Sequence, residues 1–445
     1  MMVFESLLFE VGQGGVVGNP NWKNKTLFWG DNLEIMRGMN SETVDLIATD
    51  PPFNKGRDFH ATPDSLASGS SFQDRWSWRD DVDQAWVDQI TDDFPHVMNV
   101  INGSRSSYGD DMGAFLAFMA VRLLAMRRIL KSTGSIYLHC DPTASHYLKE
   151  LMDAIFGKKM FINEIIWSYN SGGGSKNHFG RKHDVILLYS KTKNYTFNHD
   201  EVRVPYDATI AKSREELFNK NGKVMPDVWN VSRPPNHAKE WLGYPTQKPI
   251  KLYEIMLKAS SNEGDIVFDP FCGCATTLVA AERMHRQWVG IDIWDGAFGA
   301  VKKRLEGEFL HMSGDKQETY LFDEGSFTLA KSAPLRTDDG ETAAPFLRVK
   351  QKVQEPERNT MSRQQMFEYL LSHNEPRCEG CDRTFDDTRY LELDHNTPRA
   401  DGGINHISNR ILLCGPCNKL KSNIYTLSGL RKENQKRGFM DPKSS

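Results

Sequence analysis

The chain has 445 residues, 39% hydrophobic and 26% charged, the size of two or three domains and the composition of an ordinary soluble protein. A net charge of −4 excludes a uniformly basic nucleic-acid binder, so any DNA-binding face must be local. No run approaches the ~18 apolar residues of a membrane span, and the N-terminus, with Glu5 and Glu10 among its apolar residues, lacks the basic start of a signal peptide. Seven cysteines, an odd number, fit a reducing cytoplasm better than a disulfide scaffold.

Residues 27–53 read as strand, helix, strand: Leu27–Trp29, a helical stretch over Leu33–Met39, then Val44–Ala48 running into Thr49-Asp50-Pro51-Pro52-Phe53. Residues 54–110, rich in Asp, Ser and Gly, predict a long functional loop with a helical insert. Its aspartates (Asp80, Asp81, Asp83, Asp88, Asp92, Asp93) would repel phosphate, which marks a solvated or partner-facing surface. Apolar residues recur at helical spacing over Met112–Leu130, and Gly134 is expected to close that segment.

Ser135–His139 is a buried-strand candidate, followed by a helix over 143–156, strands over 162–169 and 184–190, and a Gly172–Gly174 loop between these two. A helix over 250–260 precedes the strand Asp265–Asp269, which stops at a Gly/Cys-rich turn; a helix (276–285) and the strand Trp288–Asp292 follow. The alternation predicts an α/β fold, a doubly wound and mostly parallel sheet. Residues 1–311 form this expected domain, 312–360 lose periodicity and read as a linker, and 361–445 form a second unit opened by a helix over 362–371.

Two constellations carry chemistry in the first domain. Asp269-Pro270-Phe271-Cys272-Gly273-Cys274-Ala275-Thr276-Thr277 joins a strand to a helix, a turn that lets backbone approach a nucleotide-like ligand. Asp292, 23 residues on, ends the next strand, where a carboxylate can accept from ribose hydroxyls. In Asp50-Pro51-Pro52-Phe53, two prolines stiffen the turn and hold the Asp50 carboxylate and a proline carbonyl as acceptors, while Phe53 offers a stacking face. Such a site suits an exocyclic amine on a planar base, whose delocalised lone pair two acceptors would help localise for attack on a methyl sulfonium.

With Gly30-Asp31-Asn32, Gly134–His139 and Thr246-Gln247-Lys248-Pro249, these motifs resemble the DNA amino-methyltransferases, in the permuted order with the catalytic motif first. The resemblance covers about 27–310 and implies S-adenosylmethionine as cofactor and double-stranded DNA as partner. It further implies that Asp31 contacts the cofactor's adenine, that the segment holding Lys248 lies near its methionine end, and that Asp269, Phe271 and Gly273 belong to the cofactor turn. Asp50 tilts the target toward adenine N6 rather than cytosine N4, where Ser is usual. Ala275 departs from the family pattern, which often has a second glycine there; weaker or slightly shifted cofactor contact is expected. Segment 195–243 matches the target-recognition position, and its shortness suggests a short target sequence.

In the second unit, Cys378-x2-Cys381 and Cys414-x2-Cys417 have the spacing of a closed four-thiolate zinc site, structural rather than catalytic. Between and beside them, Asp394 is a hard oxygen ligand suited to Mg²⁺ or Mn²⁺, and His395 suits a general base. Asn418 would complete the metal site and Asn409 would orient the histidine through a backbone hydrogen bond. With Pro398 and Gly402-Gly403, this pattern resembles a zinc-stabilised HNH endonuclease across 362–425.

A basic stretch (Lys419, Lys421, Arg431, Lys432, Lys436, Arg437, Lys443) is expected to be solvated or to touch DNA. The leading expectation is a restriction–modification enzyme that methylates adenine and cuts DNA, with a homodimer implied for double-strand cleavage. The alternatives are an adenine-N6 or cytosine-N4 methyltransferase whose zinc unit only binds DNA, and a methyltransferase domain that serves mainly to target the nuclease.

Overall fold

The computed structural model describes residues 18–61, 71–169, 176–206, 219–233, 242–244, 246–294, 296–297, 299, 301–305, 327–338, 361–373, 375–396, 405–421 and 427–440. The strands are β1 (Thr26–Trp29), β2 (Val44–Thr49), β3 (Phe59–His60), β4 (Ser71–Phe72), β5 (Leu130–Cys140), β6 (Phe161–Ser168), β7 (His183–Ser190) and β8 (Arg203–Val204). They continue as β9 (Lys223–Val224), β10 (Val228–Asn230), β11 (Ile266–Asp269), β12 (Gln287–Asp292), β13 (Thr328–Ala330), β14 (Leu391–His395) and β15 (Arg410–Cys414). Nine of them make one sheet in the order β10-β6-β7-β5-β2-β11-β12-β1-β13. Every neighbouring pair runs parallel except those of β7, which is antiparallel to β5 and β6.

Helices α1 (Asn32–Gly38), α2 (Trp78–Asp81), α3 (Gln84–Asp93), α4 (Pro95–Tyr108), α5 (Asp110–Ile129) and α6 (Ser145–Met152) come before the edge strand β10, and α7 (Ile250–Ser260) and α8 (Thr276–Arg283) after it. The central strand β2 is apolar on both faces, as a parallel strand covered twice must be. Ile47 joins the core built with α1, α4, α5 and α6, whereas Leu46 and Ala48 join the opposite core with α7 and α8. Because β1, β2, β5, β11 and β12 run parallel, their carboxyl ends share one edge, which collects Asp31, Asp50, His139, Asp269 and Asp292. Antiparallel β7 starts at that edge and brings Asp184 to it.

Several expectations change. Residues 54–110 are more helical than a loop with one insert: α2, α3 and α4 follow the β3–β4 hairpin. Pro95 opens α4, and Val97, Met98 and Ile101 bury against α5, a stripe diluted in the sequence by Ser, Asn and Gly. Gly134 does not end an element but lies inside β5, where a Cβ would sit 2.8 Å from the Asp45 carbonyl oxygen. The helix over 143–156 splits into α6 and a π-turn at Asp153–Gly157.

The linker expected over 312–360 includes residues 327–338, of which Thr328–Ala330 join the sheet. There β13 pairs with β1, and the buried Arg336–Asp338 pair (2.6 Å) bonds Ser41. Polar side chains hold this strap, so apolar periodicity could not reveal it. Gly172–Gly174, the rest of the expected linker (312–326 and 339–360), and residues 207–218 and 234–241 of the 195–243 segment lie outside the described residues.

The C-terminal unit has its own core. An antiparallel hairpin, β14–β15, pairs Leu391 with Cys414 and His395 with Arg410, and α10 (Gly415–Lys421) follows directly. Helices α9 (Arg363–His373) and α11 (Leu427–Lys436) complete the unit. Two residues of the basic stretch are packed into this unit, whereas Lys419, Lys436 and Arg437 are exposed. Lys421 is 1% exposed, Leu430 is buried, and Arg431 pairs with Asp382 at 2.8 Å. Lys443 lies outside the described residues.

Candidate active site and zinc centre

A cleft of about 460 Å³ opens at the sheet's carboxyl edge and runs from Asp31 past Asp50 and Phe53 to Phe271, Gly273 and Asp292. Its size is that of a small-molecule site. Asp31 caps α1, accepting from Leu33 N at 2.8 Å, and Arg122 Nη2 donates to its other oxygen at 2.9 Å. Arg122 also donates to Asn32 Oδ1 at 2.7 Å, and burial pushes its guanidinium down to about 10. Asn32 in turn donates to the Pro270 carbonyl oxygen at 2.8 Å, tying the Asp31 loop to the Asp269 turn.

Asp269 serves that turn. Thr49 and Thr277 hydroxyls donate to it at 2.8 and 2.6 Å and Phe271 N at 3.1 Å, while burial pushes its carboxyl up to about 7. Asp292 accepts from Gly273 N at 2.6 Å and from Trp294 N at 2.8 Å, with its pKa raised by burial. Gly273 has φ +48, and a Cβ there would lie 2.9 Å from the Tyr244 ring, so this position needs glycine. Ala275 adopts the left-handed conformation (φ 63, ψ 34) with its methyl fully buried in the core. It therefore takes the backbone shape that its position demands despite carrying a Cβ. Cys140, Cys272 and Cys274 are buried thiols, pushed up by burial.

Asp50 sits among charges. Lys248 Nζ donates to Asp50 Oδ2 and, at 3.2 Å, to the Thr246 carbonyl oxygen. Asp50 Oδ1 is buried without a hydrogen-bond partner. Phe53 is nearly buried, with the Lys55 and Lys248 ammonium groups each 5.3 Å from its ring centre. Behind the turn, the single carboxylate of Asp74 accepts from Phe53 N, Asn54 N and Lys55 N at 2.7, 2.6 and 3.1 Å; burial still pushes it up to about 6.

The cleft fits an adenosyl ligand, with carboxylates at two ends, a glycine turn between them and an unsatisfied acceptor at the reacting end. Arg122, Asp74 and Asp184 escaped the sequence reading. Arg122 left one signal, a lone charge inside an apolar helix; Asp74 left none, since its partners are backbone amides.

In the C-terminal unit, the four cysteine sulfurs all lie within 4.8 Å of one another and are buried, an arrangement that fits a closed thiolate zinc site. Hydrogen bonds from Cys381 and Cys417 hold the Cys378 thiol far below its ordinary range. The residues expected to bind a hydrolytic metal already have protein partners. Asp394 pairs with Lys421 Nζ at 2.8 Å, and Asn418 Nδ2 donates to Glu392 at 2.5 Å, which leaves the Asn418 Oδ1 as an acceptor. Arg410 Nη1 donates to His395 Nδ1 at 3.3 Å, and the Asn409 carbonyl oxygen accepts from Asn396 N at 2.7 Å, beside the histidine.

Comparison with known proteins agrees with both units. Residues 44–303 match the family model described as DNA methylase, and residues 378–423 match the HNH endonuclease model. The chain is 30% identical over 288 residues to the type II methyltransferase M.HpaI of Haemophilus parainfluenzae, covering 64% of this chain and 76% of the relative. It is also 30% identical over 279 residues to the DNA adenine methyltransferase YhdJ of Escherichia coli K12, covering 60% and 78%. The chain belongs to the N6/N4 DNA methylase family and carries an HNH domain at its C-terminal end.

Proposed function

We propose that this chain methylates the exocyclic N6 amine of adenine in double-stranded DNA, as a restriction–modification enzyme with S-adenosylmethionine as donor. The observation that carries the reading is the unpartnered Asp50 Oδ1 on a two-proline turn in the cleft wall. The target base leaves the duplex to reach it and stacks at Phe53. Asp50 and a proline carbonyl, Pro51 or Pro52, accept from the amine and localise its lone pair. The cofactor, when bound, supplies an electrophilic methyl sulfonium. Asp31 would hold its adenine, Asp292 its ribose hydroxyls through remaining lone pairs, and the segment of Lys248 its methionine end, with Phe271 and Gly273 shaping the turn that Asp269 braces. The name of the YhdJ relative supports adenine over cytosine.

The test is transfer of labelled methyl groups to duplexes in which only adenine or only cytosine is available, followed by hydrolysis and chromatography. Label is expected in N6-methyladenine, and Asp50→Ala is expected to reduce transfer by at least about 100-fold with unchanged circular dichroism. Wild-type transfer by that variant would reject the assignment.

For the HNH unit two readings stand. Cleavage of DNA dependent on Mg²⁺ or Mn²⁺, with His395 as general base and Asn409 as its positioner, rests on the HNH match. DNA binding without cleavage is favoured by the engagement of Asp394 with Lys421. Nicking of plasmid with either ion, lost in His395→Ala, supports the first; intact plasmid under every combination of ion, cofactor and methylation state supports the second. With cleavage, double-strand breaks require two protomers or two visits. We further assign target recognition to 195–243, the linker to 312–360 apart from the strap at 327–338, and the cytoplasm as location.

A further inference from the structure

His139 lies on β5 beneath Asp50, its side chain 2% exposed. Its Nε2 faces Asp184 Oδ2 at 3.3 Å, and its Nδ1 faces Asp50 Oδ1 at 3.7 Å. Neither Nδ1 nor Oδ1 has a hydrogen-bond partner, although both are buried. An ionised carboxylate only accepts, so the bond to Asp184 places the imidazole's proton on Nε2. The Nδ1 lone pair then points at a second acceptor. Two buried lone pairs facing one another are unfavourable unless a proton comes to lie between them.

The remaining neighbours support this polarity. Tyr169 donates to Asp184 Oδ1 at 3.2 Å, and Arg233 lies 3.6 Å from Oδ2. The hydrogen bond to His139, with Lys248 and Arg233, outweighs the cost of burial and holds the Asp184 carboxyl well below the usual carboxylate range. The rings of Phe53 and Trp167 close the other sides of the imidazole, with centres 5.6 and 5.4 Å away. The adjacent Asp141 is paired with Lys55 at 3.0 Å. Lys248 occupies the other Asp50 oxygen, Oδ2.

We infer that His139 is a positioning residue that relays, through Asp50, the proton shed by the methylated amine; this rests on the methylation reading above. Once the exocyclic nitrogen carries the methyl group it bears a positive charge. One N–H proton must leave, its bonding pair staying on nitrogen. That proton passes to Asp50 Oδ1 and then to His139 Nδ1, and the resulting imidazolium sits between two carboxylates. It returns through Asp50 to water when the product leaves. The relay starts from an unprotonated Nδ1.

The test uses the full chain labelled with ¹⁵N-histidine and single-turnover methyl transfer from pH 5 to 9. The nitrogen spectrum of the wild type is expected to place the proton on Nε2, and Asp184→Asn to move it toward Nδ1. His139→Gln is expected to slow transfer about 100-fold, with the acid limb of the pH profile gone and DNA and cofactor affinities unchanged. A wild-type proton on Nδ1, or a His139→Gln variant with the wild-type rate and profile, overturns the relay. A wild type that transfers no methyl to any DNA removes the methylation reading instead. The nitrogen spectrum, which needs no turnover, then still decides the histidine's geometry.

Discussion

Asp269 shows how one buried group ties stability to pH. Its carboxyl is pushed up to about 7 in the folded chain, against about 3.9 when unfolded, so the folded state holds a proton that the unfolded state releases. Stability is therefore greatest below about pH 4 for this group and declines as pH climbs toward 7. Asn at this position mimics the protonated form. Thermal melts of wild type and Asp269→Asn should diverge across that window, the variant holding its melting temperature while the wild type loses it; parallel curves would remove this protonation from the account. Ala275 illustrates the opposite case, in which a sequence departure proves local. The left-handed backbone costs a non-glycine residue roughly 1–2 kcal/mol, and burial of the methyl in the core beneath α8 offsets part of it.

At the scale of elements, the strap 327–338 decides where the methylase domain ends. A chain cut after residue 311 loses β13, the Arg336–Asp338 pair and the bonds to Asn40 and Ser41, leaving these two residues short of partners in a buried patch. Residues 1–311 are expected to melt below residues 1–338, by roughly 3 °C for each 2 kcal/mol lost; equal melting temperatures would show that the strap contributes nothing. Helix α11 plays the matching part in the other unit. Asn434 Nδ2 donates to the Cys417 sulfur at 3.3 Å and to the Gly380 carbonyl oxygen at 2.7 Å, so it braces the cysteine cluster directly.

At the scale of the whole molecule, two units with separate cores predict separable unfolding. With zinc held by its four thiolates, the small unit is expected to depend on that metal, as thiolate zinc modules do, and the nine-stranded sheet is expected not to. Calorimetry should resolve two transitions, and a strong zinc chelator or Cys414→Ser should abolish only the smaller one while labelled methyl transfer continues. One transition lost as a whole on chelation would mean that the units fold as one. Among the described residues no helix is long and apolar enough to cross a membrane, in keeping with the absence of an 18-residue apolar run.

The division between what was legible and what was not follows the range of the interactions. Local order left its mark in the chain: strand and helix periods, the Asp50–Phe53 and Asp269–Thr277 turns, and the cysteine spacing are short-range patterns set by backbone geometry and ligand chemistry. They determined the α/β architecture and named residues that the fold brings together in the cleft and in the four-cysteine cluster. Contacts between residues far apart in the chain decided the rest. Asp74 clamps a turn twenty residues away, Asp338 reaches back to Ser41, Lys421 takes the carboxylate of Asp394, and His139 comes between Asp50 and Asp184 only because β7 runs antiparallel beside β5. A single polar side chain carries no period, and its partner is chosen by the packing of the sheet. Tertiary structure alone therefore decided how the charges around each site are paired.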